Sequence, residues 1–427
     1  MFSYDTLIKD LNNEDVTKRL EALKNLMEMV NSGEIQRPIS GNDVNNHIHT
    51  TFSFSPYSPT KALWMAYNAG LKTAGIMDHD SISGAMEFIQ AGEIIGMATT
   101  IGIECRVDMC STTLKGKKIN NPDQDSVAYM TLHGVPHTKI DTVSKFFAPY
   151  IEKRNVRNIK MINKINELFM SFGLKINFEQ DVVPLSQYHK GGSITERHLS
   201  LALSEKLIKV YGEGEGLISF LRNELKLVLS AKVEANLLDL SNPFYSYDLL
   251  GFIKSDLISS FYIPATDECA DVAAVLALSK EIGAISAYAY LGDVGDSVTG
   301  DKKTQKFEDA YLDDVFEVIH TLGFNAVTYM PSRNTMPQLT RLKTLCEQYG
   351  FFQISGEDIN SPRQSFVCHA MRNDFFKNLI DSTWALIGHE KAATDDTTKG
   401  MFSNETITTY PDLNHRISYF MKLGLKI

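Results

Sequence analysis

Residues 45–55 read NNHIHTTFSFS, which places His47 and His49 two apart in a chain of 427 residues with 11 histidines. On a β-strand, residues i and i+2 project from one face, so both imidazoles would point to the same side and share a partner. Two ligands alone do not hold a metal; three or more are needed. Further runs that read as strands end in the same residue types. MDHDS supplies Asp78, His79 and Asp80; TTIGIECRV supplies Glu104; AYMTLHGVPH supplies His133 and, less regularly, His137; FFQISGEDINS supplies Glu357, Asp358 and Asn360. In parallel α/β folds, functional groups collect at the carboxyl ends of strands. Imidazole and carboxylate at successive strand ends make a donor set that suits zinc, manganese or iron. One multi-metal cluster accounts for all of them.

The elements that must position these residues follow from pattern. Apolar positions at Leu7, Leu11, Leu20, Leu23, Met27 and Val30 suggest amphipathic helices over 5–31. SPTKALWMAYNAG (58–70) opens on a Ser-Pro helix start and closes on Gly70, and LKTAGIMD follows as a buried strand. The alternation resumes at 270–292, 312–330 and 338–356, each a helix, a glycine near its end, then a β-rich run. This fits a parallel sheet or an (α/β) barrel. Residues 141–236 carry helical patterns without strong strands. The expected organisation is an N-terminal helical extension (1–40), a barrel built from 41–140 and 237–427, and a helical insertion (141–236) that interrupts it. HEKAATDDTTKGMFSNET, from His389 onward, reads as a polar loop.

Composition bounds the partners. With 43% hydrophobic and 22% charged residues the chain has an ordinary globular make-up, and a net charge of -10 argues against a broad grip on long nucleic acid. A small anionic substrate stays open, because bound divalent ions reverse the local field. Five scattered cysteines lack the paired spacing of a structural zinc site. The N-terminus carries acids where a secretory signal would carry bases, and no apolar run approaches the about 20 residues that span a bilayer. A cytoplasmic protein with no membrane partner is expected; the oligomeric state is not legible.

The order HxH, DHDSISG, GIE, LHG, RH before a helix, and a late GEDIN resembles the PHP (polymerase and histidinol phosphatase) superfamily of metal-dependent phosphoesterases, over roughly residues 41–375. It looks most like the branch with a helical insertion that hydrolyses nucleotide 5′ phosphates and short oligonucleotides. The resemblance implies a distorted seven-stranded (β/α) barrel holding two or three divalent ions (Mn, Zn or Fe). It puts His47, His49, Glu104 and Asp358 on the first ion, and Glu104 and His133 on the second. His79 and Asn360 match positions that serve the third, and His198 either completes the second ion's shell or lines the pocket. Glu104 would keep the metals together and Asp358 would orient a metal-bound hydroxide.

Three departures from the family pattern stand out. Phe54 occupies a usual third-metal ligand position, Asn360 replaces a histidine, and Tyr288 or Tyr290 stands where Ala-His-Pro is common. Arg197, Arg333 and Arg363 are candidates to hold phosphate, since the guanidinium fork matches its geometry. The implied activity is hydrolysis of a phosphomonoester, nucleotide or short oligonucleotide. The alternatives are a catalytically quiet metal-binding or sensing module and a hydrolase of a different bond, an amide or a lactone.

Overall fold

The apolar runs pair in one curled sheet. In a computed structural model, which describes residues 3–121, 123–293 and 306–426, the strands are β1 (Val44–Ile48), β2 (Thr73–His79), β3 (Ala98–Asp108), β4 (Val127–His133), β5 (Ala270–Asp271), β6 (Ile285–Ala289), β7 (Ala326–Tyr329) and β8 (Phe352–Ser355). Seven follow the path β1-β2-β3-β4-β6-β7-β8, and the short β5 pairs with β3 off that path. The two edges meet through a parallel bridge between Ile48 and Ile359, beyond the end of β8. The sheet is therefore curled and barrel-like, with its edges joined through that bridge.

It is mixed because β4 runs antiparallel to both β3 and β6. An antiparallel neighbour needs no crossover helix, and the 109–126 connection holds none among its described residues. The helix–strand alternation, which fits a parallel sheet or an (α/β) barrel, does not reveal this antiparallel strand. The carboxyl end of β4 lies at the rim opposite the other strand ends.

Helices α1 (Tyr4–Asp10) and α2 (Val16–Ser32) precede the sheet, and α3 (Pro59–Asn68) and α4 (Ala85–Ile95) connect the first three strands. The Ser58 hydroxyl accepts from Lys61 N–H at the start of α3, with Pro59 in its first turn. Between β4 and β5 lie α5 (Ile140–Leu168), α6 (Glu196–Tyr211), α7 (Glu215–Ser219), α8 (Ala231–Leu238) and α9 (Tyr245–Asp256). These gather around a hydrophobic cluster of their own, running from Met161 to Phe261. Helices α10 (Val272–Ile282), α11 (Leu312–Leu322) and α12 (Met336–Tyr349) lead into β6, β7 and β8, and α13 (Lys377–Asp395), α14 (Asn404–Thr409) and α15 (Leu413–Gly424) follow the sheet. Among the described residues, no helix is long and apolar enough to cross a membrane.

Strand register assigns the two faces. Cys105, Met130, Tyr288 and Val327 join the main core with Val275, Phe316 and Leu342 of the connecting helices. On the other face, Glu104 aligns with Thr131, then Ala287, Ala326 and Phe352 in neighbouring strands. There Ala287, Ala326, Phe352 and Ile354 pack with Ala385 and Leu386 of α13 and Phe420 of α15. Helix α13 thus covers the face that carries Glu104.

This overturns the polar-loop reading of 389–406, because α13 continues to Asp395, α14 begins at Asn404, and the first two residues of the stretch are buried and paired. His389 Nδ1 accepts from Met401 N–H at 2.9 Å, and its Nε2 donates to the Gly134 carbonyl at 3.2 Å. Glu390 accepts from Ile101 N–H at 2.8 Å and pairs with His137 at 2.9 Å. Gly134 has φ +58, and a Cβ there would lie 2.6 Å from the His389 ring, so the strand end needs glycine to approach the helix.

Replacing His389 with Ala strands a buried N–H and a buried carbonyl and should remove about 3 kcal/mol of stability, measured by denaturant unfolding. Burial lowers the pKa of His389 from 6.5 to about 4. The unfolded ring therefore takes up a proton that the folded ring refuses. Stability is fully present above pH 6.5 and is lost as pH falls toward 4. The variant should show a shallower loss over that window.

Candidate metal centre

The first histidine pair is aimed by an irregularity. The β1–β2 register shifts between Asn45 and Ile48, after which Ile48 aligns with Ile76. Both isoleucines belong to the main core, so His47 and His49, flanking Ile48, project to the opposite face with Met77 and His79. His79 in turn aligns with Glu104. Three imidazoles, two from the end of β1 and one from the end of β2, therefore converge on one carboxylate. Glu104 Oε2 lies 3.5 Å from His47 Nε2, 3.7 Å from His49 Nε2 and 3.1 Å from His79 Nδ1. Asp358, after β8, brings Oδ1 within 3.1 Å of His49 Nε2; its strand-like neighbour Ile359 exchanges backbone hydrogen bonds with His47 and His49.

Among the described residues, His47, His49 and Glu104 form one group of donors whose ligand atoms all lie within 4.8 Å of one another. The hydrogen-bond network sets the tautomer of His49. Asp78, buried behind the turn, accepts from Thr50 N–H, the Thr50 hydroxyl and the Ser53 hydroxyl, each at 2.6 Å. With its proton given to Asp78, Ser53 Oγ can only accept from His49 Nδ1, 3.2 Å away. A proton therefore sits on Nδ1, so in the neutral ring it is Nε2 that presents a lone pair toward two carboxylates. Lone pairs facing one another in a buried site call for a cation between them. His47 Nε2, His49 Nε2 and His133 Nε2 are all buried without a hydrogen-bond partner. These donors fit a divalent ion.

The electrostatics agree. Burial opposes charge on Glu104, but the surrounding imidazoles of His79, His47 and His49 hold its carboxyl down at about 2. Burial also works against a proton on His47, yet the nearby carboxylate charges, Glu104 first among them, outweigh it and raise its pKa. For His79 and His133 burial dominates and lowers both to about 3. Both are thus neutral near pH 7, the form that ligates metal.

The remaining sequence candidates divide. His133 aligns with Gly102, two residues from Glu104 on the same face of the adjacent strand, a diagonal that long side chains span. His137, by contrast, is carried to the far rim and pairs with Glu390. Asn360 is buried, and its Nδ2 donates to Asp358 Oδ1 at 2.7 Å. It meets the metal site through Asp358.

His198 is given another task. Its Nδ1 accepts from Thr195 N–H at 3.0 Å, closing a capping box at the start of α6, which puts its proton on Nε2 and removes that lone pair. It also stands edge-on to Phe54, with ring centroids 4.9 Å apart. Phe54 forms a small apolar cluster with Leu201 of α6 and Leu250 of α9. Phe54, which stands where the family pattern has a metal ligand, thus joins the turn after β1 to the helical segment. The tyrosines are also accounted for. Tyr288 aligns with Met130 rather than Thr131, so it lies on the face opposite Glu104 and donates to Glu308, while Tyr290 donates to Asp309 at 2.7 Å.

A pocket adjoins the cluster, lined on the metal side by His79 and Asn360 and elsewhere by Phe54, Tyr129, Arg197 and Lys254. Of the candidate arginines, Arg197 lines this pocket, and its charge helps to hold Asp358 ionised against the opposing effect of burial. Arg363 is committed elsewhere. It forks onto Asp248 of α9, with 2.7 Å to each carboxylate oxygen, and lies over the Phe244 ring. Arg333 follows β7 and is not among the residues lining the pocket.

The far wall of the pocket is ionic and was not visible in the strand-end pattern. Arg106 of β3 and Arg154 and Arg157 of α5 interlock with Asp80, Glu196 and Glu268. Their partners are up to 162 residues apart, and nothing in local spacing marks them. Asp78 was visible as a strand-end acid, but its role in orienting His49 depends on Ser53 and Thr50 folding back over it.

No family model and no curated protein sequence matches the chain. Among solved structures, a chain from Bifidobacterium adolescentis provisionally described as a metal-dependent phosphoesterase is similar over 79% of this chain and 96% of that one, at 18% identity and a TM-score of 0.49. An amidohydrolase from Chromobacterium violaceum, with bound sulfate and no metal, is similar over 77% of this chain and 90% of that one, at 14% identity and a TM-score of 0.49.

Proposed function

We propose that the chain is a metal-dependent phosphoesterase acting on a phosphomonoester, nucleotide or short oligonucleotide. The observation that carries this reading is the Nε2 of His49, the ligating atom once Nδ1 is engaged by Ser53, facing Glu104 and Asp358 beside a pocket lined by Arg197 and Lys254. His47, His49, Glu104 and Asp358 would hold one divalent ion, with Glu104 and His133 available to a second. Such ions supply Lewis acidity toward a phosphoryl oxygen and lower the pKa of water toward neutrality.

The chain's own groups do the rest. Arg197 and Lys254 bring positive charge to the pocket, and Tyr129 and Phe54 give it aromatic surface on which an aromatic base can stack. Asp358, which burial would protonate but which nearby positive charge, that of Arg197 included, holds ionised, is placed to accept a proton from an attacking water.

The test is to load the protein with Mn, Zn or Fe and screen it against phosphomonoesters, nucleoside bisphosphates and short oligonucleotides. Phosphate release should disappear on chelation. It should also weaken as pH falls through the raised pKa of His47, because protons then compete for the lone pair that binds metal. Stoichiometric metal without phosphate release under any loading would sink the proposal. It would support the second reading, a catalytically quiet metal-binding module. That reading is favoured by the assignment of His198 to a helix cap and of Phe54 to a packing role, which shortens the ligand set.

A further inference from the structure

We propose that Ser193, contributed by the helical segment between β4 and β5, is a positioning residue that fixes the two loops carrying the metal-binding histidines relative to one another. The inference rests on the metal-centre reading above. The β1–β2 ladder stops at Ile48–Ile76, so His49 and the turn after it leave the sheet while β2 continues to His79. Beyond that point the two loops are tied by Asp78 from within and by Ser193 from outside.

Ser193 is fully buried at 0% exposure. Its N–H donates to the Phe52 carbonyl at 2.8 Å, in the turn that carries Ser53. Its hydroxyl donates to the His79 carbonyl at 2.6 Å. One residue therefore bridges the backbone of both ligand-bearing loops.

The surrounding segment is built to hold that bridge. The Gly191 carbonyl accepts from the hydroxyls of Ser81 at 2.7 Å and Ser83 at 3.2 Å. Gly191 has φ +87, and a Cβ there would lie 2.3 Å from Ser83 Oγ, so only glycine permits this approach. On the other side, Lys190 Nζ donates to the Glu14 carbonyl at 2.7 Å, anchoring the segment on the loop between α1 and α2. A metal site needs its ligands held within about 0.5 Å of productive geometry. Here the helical segment makes part of that constraint through the Ser193 bridge itself.

The test uses the full chain and Mn²⁺ alone as the probe. Ser193→Ala keeps the backbone bond to Phe52 and removes the bond to His79. It should weaken Mn²⁺ binding about tenfold, the lower end of the range for groups that orient ligands, with a melting temperature close to wild type. Hydrogen exchange in the metal-free protein should rise over 50–57 and 79–83. Ser81→Ala, which loosens the same segment without touching a ligand-bearing carbonyl, should bind Mn²⁺ as wild type does. Unchanged affinity and exchange in Ser193→Ala would overturn the proposal, as would an equal loss in Ser81→Ala. If the wild-type chain takes up no Mn²⁺, the metal-centre reading fails, and the exchange comparison alone decides whether Ser193 is the tie.

Discussion

A Glu104→Gln chain should fold and yet lose its metal, with affinity falling more than the about 100-fold that marks the upper range for residues which only orient ligands. The substitution preserves volume and removes one charge, but that charge faces three imidazoles at once. Asp78, Ser53 and Thr50 still hold the turn after β1, so the loss arises at the site rather than in the loop that carries it. A second signature follows from the same contact. Because Glu104 is what raises His47 against the opposing effect of burial, the variant's His47 should titrate at lower pH, a shift visible in its imidazole NMR resonances. Metal counts per chain after dialysis read the first effect. Wild-type stoichiometry in the variant would mean that Glu104 is not a ligand.

What could be read in advance was local. HxH on a strand, and acids at the ends of the next two, are patterns of period two and of strand termination, and they lead to His47, His49, His79 and Glu104 without any long-range information. The outcomes that differed each depended on something beyond one strand. Tyr288 is excluded from the site by a one-residue parity in β6, where Ala287 and not Tyr288 aligns with Thr131; a single step flips a side chain to the other face. His137 is misplaced by the direction of β4, and a cue was present in the helix-free connection that precedes that strand. His198 carried a signal of its own, since Thr195 stands three residues before it at a helix start, the spacing of a capping box. Arg363 gave no such signal, because Asp248 lies 115 residues away. The buried polar residues of α13 defeat a compositional reading altogether. His389 and Glu390 look solvated until Gly134 and Ile101 arrive from β4 and β3 to pair with them.

Removing one carboxylate from the buried ionic wall should damage the molecule more than any surface change. Glu268 sits among Arg106 at 2.5 Å, Arg157 at 2.5 Å and Arg154 at 3.4 Å. Arg154 continues to Asp80 at 2.6 Å, while Arg106 and Arg157 share Glu196. Three guanidinium groups and three carboxylates are balanced, and desolvation is tolerable only while they remain so. Glu268→Gln leaves one buried positive charge without a counter-charge, and about 3–5 kcal/mol of stability should be lost, read from denaturant midpoints. Because these groups are shielded from solvent, added salt should recover little of it. Combining Glu268→Gln with Arg157→Met restores the balance, and the double variant should be less destabilised than the sum of the singles. Simple additivity would show that the groups act as separate contacts. The same network reaches the metal centre through Asp80, the residue after His79, so the stability lost at Glu268 should be accompanied by weaker metal binding, whereas His389→Ala, at the far rim, should lower stability without that second effect.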